Sequence, residues 1–164
     1  MAKAIKKEES TTHVELDQKD MAILKLLQHN ARITVKEISD KVNLSTTPVY
    51  ERIKWMEETG VIKQYATIVD PAKLNRRLMV IVYVSLKQHN KTAGSKFVKA
   101  INEMSEVLEC YSISGQFDFM LKIMVEDMDA YYDFHVNRLS EMENIGNVQS
   151  VFVMGAVKET HILL

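Results

Sequence analysis

The chain has 164 residues, of which 46% are hydrophobic and 26% charged, the ordinary range for a globular protein. Its 21 basic and 22 acidic side chains nearly cancel, so the overall charge does not indicate a nucleic-acid binder, and the single cysteine, Cys110, excludes an internal disulfide. No apolar run approaches the roughly 20 residues of a membrane span, and the polar N-terminus does not resemble a secretory signal. We therefore expect a cytoplasmic protein that does not contact a membrane.

The N-terminal segment is predicted to be a flexible arm followed by a helix. Residues 1–15 are polar, rich in lysine and glutamate, and without apolar periodicity. Asp17 is expected to cap a first helix whose third residue is Asp20, and Leu16 and Met21 flank this cap as an apolar staple.

Two further helix starts follow closely. Thr34 and Glu37 have the spacing of a capping box, and this short helix is expected to end near Asn43 in a left-handed cap. Ser45 is expected to cap a third helix, which Gly60 ends. Two helices joined by a three-residue turn are typical of the helix-turn-helix motif.

The third predicted helix has an exposed face suited to DNA. Val49, Ile53 and Met56 form its buried face, with polar residues opposite. In helix-turn-helix proteins this polar face enters the major groove, whereas the alternative is a solvated surface of a small helical domain. Arg52 lies at the flank, where it suits a phosphate or an intramolecular ion pair. The predicted DNA-binding residues are Ser45, Thr46, Thr47, Pro48, Tyr50, Glu51, Arg52 and Lys54.

The remaining pattern predicts a linker and a second domain. After the helix-turn-helix domain at 16–60, alternating apolar residues predict a wing or linker strand within 61–75. Residues 76–164 show the order β-α-β-β-α-β of a ferredoxin-like domain, which makes the fold class α+β. The predicted strands are 78–87, 107–114, 119–125 and 148–154, and the predicted helices are 93–104 and 128–142.

The first predicted strand of this domain is apolar on both faces. Along it, Met79, Ile81 and Tyr83 alternate with Val80, Val82 and Val84. Two helices can cover one face of the sheet, but no element of the chain remains to cover the other. The pattern therefore favours a homodimer through this face over a monomer with a few exposed apolar side chains.

The turn Gly115-Gln116-Phe117-Asp118 joins two strong strands. A carboxylate such as Asp118 suits a ligand ammonium, and backbone N–H groups suit a ligand carboxylate, although spacing alone favours a plain hairpin turn. No nucleophile–base pair or metal-ligand spacing is visible, so we predict no catalytic site, metal or cofactor. His135 and Cys110 are expected to be core residues, with His135 hydrogen-bonded to a backbone group.

These motifs resemble the Lrp/AsnC family, the feast/famine regulators of bacteria and archaea. The resemblance extends from Leu16 to about Lys158 and includes the segments Ala31-Arg32-Ile33, Leu44-Ser45-Thr46-Thr47-Pro48-Val49 and Ser114-Gly115-Gln116-Phe117-Asp118-Phe119. It implies a DNA-binding domain, a ligand-sensing domain, and dimers that assemble further, commonly into octamers. It also implies amino-acid effectors bound between dimers at Gly115, Gln116, Phe117, Asp118, Met128 and Ser150.

Three positions depart from the family pattern. Asn75 and Asn144 stand where glycine is common, and asparagine tolerates the same left-handed backbone. Trp55 replaces a residue of the reading helix that is usually basic or polar.

The resulting prediction is a sequence-specific DNA-binding transcription regulator, modulated by a small effector of the amino-acid type. One alternative is a regulator that needs no small effector. Another is an enzyme, because sirohaem decarboxylases are similar in architecture, although their basic, histidine-containing pocket has no counterpart that can be placed in this sequence.

Overall fold

The computed structural model describes residues 14–88 and 90–164, so nearly all of the arm predicted for 1–15 lies outside the described residues. The chain divides into two compact units. One runs up to Ile68 and includes Glu159–Leu164, and the other is Val69–Lys158. No helix in the described residues is long and apolar enough to cross a membrane.

In the described part of the first unit, three helices surround a small core: α1 (Gln18–His29), α2 (Val35–Val42) and α3 (Thr46–Glu58). The predicted capping boxes at Asp17 and Thr34 are confirmed, and Asn43 adopts the left-handed backbone predicted for it, with φ 53°. The core consists of Ile23, Leu24, Ile38, Val42, Val49 and Met56.

The strand predicted within residues 61–75 is not formed. Residues 63–70 are exposed and pair with no strand, whereas Val61 and Ile62 pack against the helical core. The hydroxyl of Tyr65 donates to the carboxylate of Glu57 at 2.8 Å. Alternating apolar residues indicate an extended backbone, but a strand also needs a neighbour to accept its N–H groups.

The described residues of the second unit form a four-stranded antiparallel sheet in the order β2-β3-β1-β4. The predicted β-α-β-β-α-β order and the α+β class are confirmed. The elements are β1 (Leu78–Leu86), α4 (Lys91–Asn102), β2 (Val107–Ser112), β3 (Phe119–Val125), α5 (Met128–Phe134) and β4 (Ile145–Phe152).

Of the six elements just given, β3 alone has the predicted bounds, and the largest differences lie at the end of the second helix and at the start of β4. The second helix leaves α geometry after Phe134 and ends with a π turn at His135–Leu139, well before residue 142. Strand β4 begins three residues earlier than predicted, because the carbonyl of Asn144 accepts the N–H of Lys87 at 2.9 Å. This bond places the start of β4 beside the end of β1.

The two faces of the sheet have different surroundings. Val80, Val82 and Val84 are completely buried in the core between the sheet and its helices. Met79, Ile81 and Tyr83 lie on the opposite face, which we call the open face, and are only half-buried. Opposite Ile81 on this face are Lys122 and Val151 in the neighbouring strands.

Candidate functional site

Buried side chains of α3 fix the orientation of the helix, and so determine which of its side chains face outward. Val49 and Met56 have no exposed surface and fix the helix against the first unit's core. The remaining predicted DNA-binding positions of this helix point outward: Pro48 is half-buried in the first turn, and Thr46, Thr47, Tyr50, Glu51 and Lys54 are exposed. A rigid scaffold therefore presents a polar surface at the N-terminal part of α3.

Ser45 occupies the N-cap position of α3 with extended backbone, φ −76° and ψ 166°, but its side chain makes no capping hydrogen bond. The prediction that Ser45 caps the helix by its side chain is therefore wrong. Thr34 at the start of α2, by contrast, accepts the N–H of Glu37 at 3.2 Å. The Ser45 hydroxyl is exposed next to the first turn of α3, where the helix dipole favours an anion.

Arg52 forms an intramolecular ion pair, the second of the two roles predicted for it. Its Nη1 donates to Asp20 Oδ1 at 2.6 Å and to Asp17 Oδ2 at 2.7 Å, which joins α3 to the start of α1. Hydrogen bonds to Asp20 and Asp17 raise the pKa of Arg52. The N–H of Asp20 and the guanidinium of Arg52 lower the pKa of Asp17. A DNA phosphate would compete with two carboxylates for this guanidinium.

Lys54 is the other cation of α3. Its side chain is 59% exposed and lies 3.8 Å from Glu58, a surface pair that holds it weakly. The helix carries two basic and three acidic residues, so its own charge is net negative.

The predicted effector turn is exposed at its tip and fastened at its base. Gly115 has φ 121°, a backbone that favours glycine, and Gln116 is exposed beside it. Asp118 donates its N–H to the carbonyl of Val84 at 2.9 Å, and its Oδ2 accepts the N–H of Leu86 at 2.7 Å. The Asp118 carboxylate therefore helps to fix the end of β1.

Phe117 in the same turn packs against Tyr83, with ring centroids 5.5 Å apart. Since Tyr83 belongs to the open face, this turn lies beside that face.

A second group of predicted effector residues lies between α5 and β4. The Ser150 and Tyr131 hydroxyls are hydrogen-bonded at 2.5 Å, and burial raises the pKa of Tyr131, which is 5% exposed. Phe152 packs edge-on against Tyr131 at 5.3 Å. We call the exposed apolar side chains around this pair the α5–β4 patch: Met128, Tyr132, Val136 and Phe152.

One copy of the chain does not bring the two groups of effector residues together. Asp118 directly precedes β3, and Met128 follows shortly after its end. A strand of that length spans roughly 20 Å, so Asp118 and Met128 lie toward opposite ends of the sheet, whereas Ser150 is level with Val82 and Leu121 near its middle. A single small ligand can touch both Asp118 and Met128 only if they come from different copies.

Sequence reasoning missed Tyr131 as the partner of Ser150, because the two residues are far apart in sequence and meet only in the folded protein.

The predictions for His135 and Cys110, the two residues expected in the core, have different outcomes. His135 stacks on Tyr131 with ring centroids 6.0 Å apart, but its Nδ1 is buried without a hydrogen-bond partner, so the predicted backbone bond is not made at this atom. Cys110 packs against the core, as predicted, and burial raises the pKa of its thiol. Residues 14–88 and 90–164 contain no cluster of three His, Cys, Asp or Glu side chains suited to a metal.

Comparison with known families assigns both units. The Lrp/AsnC ligand binding domain matches residues 79–163, and a winged helix-turn-helix DNA-binding domain matches residues 16–63. The chain belongs to the Lrp/AsnC family. It is a DNA-binding transcriptional regulator with a ligand-binding domain, as the sequence motifs predicted.

Among its relatives, the leucine-responsive regulatory protein of Haemophilus influenzae is 37% identical to this chain. The two sequences align over 100% of this chain and 99% of the length of the relative. The glutamate uptake regulatory protein of Zymomonas mobilis is 34% identical over 91% of this chain and 90% of its own. A transcriptional regulator of Neisseria meningitidis, solved as a complex with L-Met, has a TM-score of 0.86 and 33% identity, and covers 90% of this chain and 95% of its own.

Proposed function

We propose that this Lrp/AsnC regulator acts in the cytoplasm and reads DNA with the N-terminal part of α3. The observation that carries the proposal is the outward-facing polar surface of α3, held by the fully buried Val49 and Met56. Thr46, Thr47 and Tyr50 have the reach for base edges, and Glu51 suits a cytosine amino group. Ser45 and the first-turn N–H groups of α3 suit a phosphate.

Genome-wide DNA pull-down with the full chain, with and without a pool of amino acids, tests this function. We expect a small set of enriched fragments that share one motif, with an enrichment that changes when the pool is present. Recovery of fragments without sequence preference, in both conditions, would contradict sequence-specific regulation.

We further propose that an amino acid binds between copies of the chain. One copy contributes the turn Gly115–Asp118, and another contributes Met128 and Ser150 with Tyr131. This arrangement is supported by the separation of Asp118 and Met128 along β3, and by the L-Met complex of the structurally similar Neisseria regulator. Because the ligand bridges copies, it shifts assembly only by its difference in affinity between assembly states.

The proposed assembly begins with a homodimer through the open face and continues to an octamer. Met79, Ile81 and Tyr83 give the open face an apolar centre that isolated monomers would leave in water. At the β2 side, Lys122 pairs with Glu109 at 3.1 Å, so the charges there are already compensated before burial. The α5–β4 patch gives a separate surface for contacts between dimers.

We propose regulation by binding, not catalysis, as the activity of this chain. Mixing the protein with sirohaem provides a direct check, because an enzyme of the sirohaem decarboxylase type binds its substrate. A shifted absorption band would contradict the proposal.

A further inference from the structure

Positive charge in the second unit is concentrated on α4 and the short segment that precedes it. Residues 87–102 contain four lysines and no acidic residue. The other residues of 71–164 contain six basic and eleven acidic side chains. A near-neutral chain thus carries a basic segment outside its helix-turn-helix motif.

The lysines of α4 share one side of the helix. At 100° per residue, Lys91, Lys99 and Lys96 fall within an arc of about 140°, opposite the buried Phe97 and Ile101. They line a shallow groove of about 400 Å³ together with two hydroxyl side chains, and its lining consists of Lys91, Thr92, Ser95, Lys96 and Lys99. We call these five residues the α4 basic face.

The charges of this face are not compensated internally. Among the described residues, Lys91 and Lys99 form no ion pair, and Lys96 reaches only Glu143 at 3.7 Å. Both side chains of that pair are largely exposed, 72% and 90%, so water screens their attraction. Lysines with hydroxyl groups between them are a combination that contacts phosphate oxygens in DNA complexes.

The helix-turn-helix unit has no net positive charge, since its residues 14–68 contain eight basic and eight acidic side chains. Helix α3 is net negative, and Arg52 is bound to Asp17 and Asp20. Most of the affinity for a duplex comes from cations that neutralise phosphates. Phosphate contacts from another part of the molecule would therefore add substantially to the affinity of this unit for a duplex.

We propose that the α4 basic face is a second DNA-binding surface, which binds the phosphate backbone without regard to base sequence. The proposal rests on DNA binding as the proposed function. Lys91 and Lys99 are eight residues apart, which is about 12 Å along the helix axis. Over that length one DNA strand presents three or four phosphates, which matches the three lysines of the face.

The test compares two full-length double variants that each remove two positive charges. Lys91→Gln/Lys99→Gln alters the α4 basic face, and Lys73→Gln/Lys158→Gln removes two exposed lysines of the same unit as a matched control. The wild type and each variant are titrated with two duplexes of roughly 60 base pairs. One duplex contains an enriched fragment from the pull-down, and the other has a mixed sequence. Binding is measured over a salt series.

If the proposal is correct, the α4 variant binds both duplexes more weakly by the same factor. Its slope of log affinity against log salt falls by about 1.8, since each lost contact contributes about 0.9, and the control keeps the wild-type slope. An unchanged α4 variant, an equal loss in the control, or a loss confined to the enriched fragment would each overturn the proposal.

Light scattering without DNA completes the test. A change of assembly size in the α4 variant would identify the face as a contact between copies and overturn the proposal. If the wild type shows no preference for the enriched fragment, the proposed regulatory function fails, whereas the result for the α4 basic face is still read from the mixed-sequence duplex.

Discussion

Asp17 has two roles at one helix end. Its carboxylate accepts the N–H groups of Lys19 and Asp20 as a cap, and it also pairs with Arg52 from α3. Asparagine is as good an N-cap as aspartate, but it is uncharged. The substitution Asp17→Asn therefore separates the two roles.

We expect Asp17→Asn to flatten the acid dependence of stability. The hydrogen bonds to Asp20 and Arg52 lower the pKa of folded Asp17, so its contribution to the free energy of unfolding is complete above the unfolded value of about 4. The contribution is lost as the pH falls through the lower, folded value. Urea unfolding at a series of acidic pH values measures this, with Asp70→Asn, another capping aspartate, as the control. Parallel curves for wild type and Asp17→Asn would contradict the assignment.

Lys54 is the exposed cation of α3 and belongs to the face of that helix that we propose binds DNA. Its replacement by alanine is expected to cost about 1–3 kcal/mol of binding if the lysine contacts a base edge. If it touches only phosphate, binding weakens on all sequences and the salt slope falls by about one. A salt titration on operator and mixed DNA distinguishes these cases, with the exposed Lys25→Ala as control. Unchanged binding at every salt concentration would remove Lys54 from the interface.

At the scale of the element, adjacent residues of β1 face opposite sides of the sheet, one toward the core and the next toward the proposed dimer interface. Val82 is completely buried beneath the helices, whereas Ile81 lies on the open face. We expect Val82→Asp to abolish cooperative folding, because a charge without a partner is buried in the core. We expect Ile81→Asp to fold but to lose the dimer, since the same charge then lies in the proposed interface.

Circular dichroism and light scattering measure these two outcomes. Leu74→Asp provides a control, because Leu74 is 61% exposed and lies outside the sheet. An Ile81→Asp protein that is folded and keeps the wild-type mass would show that the open face is not the interface.

At the scale of the whole molecule, Asp118 connects the turn, the sheet and the proposed effector. Because its carboxylate holds the N–H of Leu86, alanine would remove an internal contact as well as a charge. Asp118→Asn retains an acceptor for Leu86 and removes the charge that a ligand ammonium requires. We expect this variant to lose effector binding and any effector-driven change of assembly, and to keep DNA binding.

Calorimetry against the twenty amino acids, with light scattering, measures this on wild type and on both variants. If Asp118→Ala alone loses the heat, the contact with Leu86 matters and not the charge. Equal heats for wild type and Asp118→Asn would exclude the carboxylate from the effector site.

The sequence by itself determined the features that depend on residues a few positions apart. The capping boxes at Asp17 and Thr34, the left-handed Asn43 and Asn144, and the bounds of β3 all agree with prediction. Each rests on a hydrogen bond within three or four residues, a local backbone preference or a short apolar run. The family motifs are equally local, so fold class and family were also accessible from sequence.

Only the tertiary structure decided which groups meet across the chain. It joined Arg52 to Asp17 and Asp20, brought Tyr131 to Ser150, assigned Val82 to the core and Ile81 to the open face, and left residues 63–70 without a strand partner. An apolar pattern shows that a side chain seeks burial, but not which of two faces the helices cover. The physical reason is that these contacts depend on the positions of groups far apart in sequence, which local spacing does not encode.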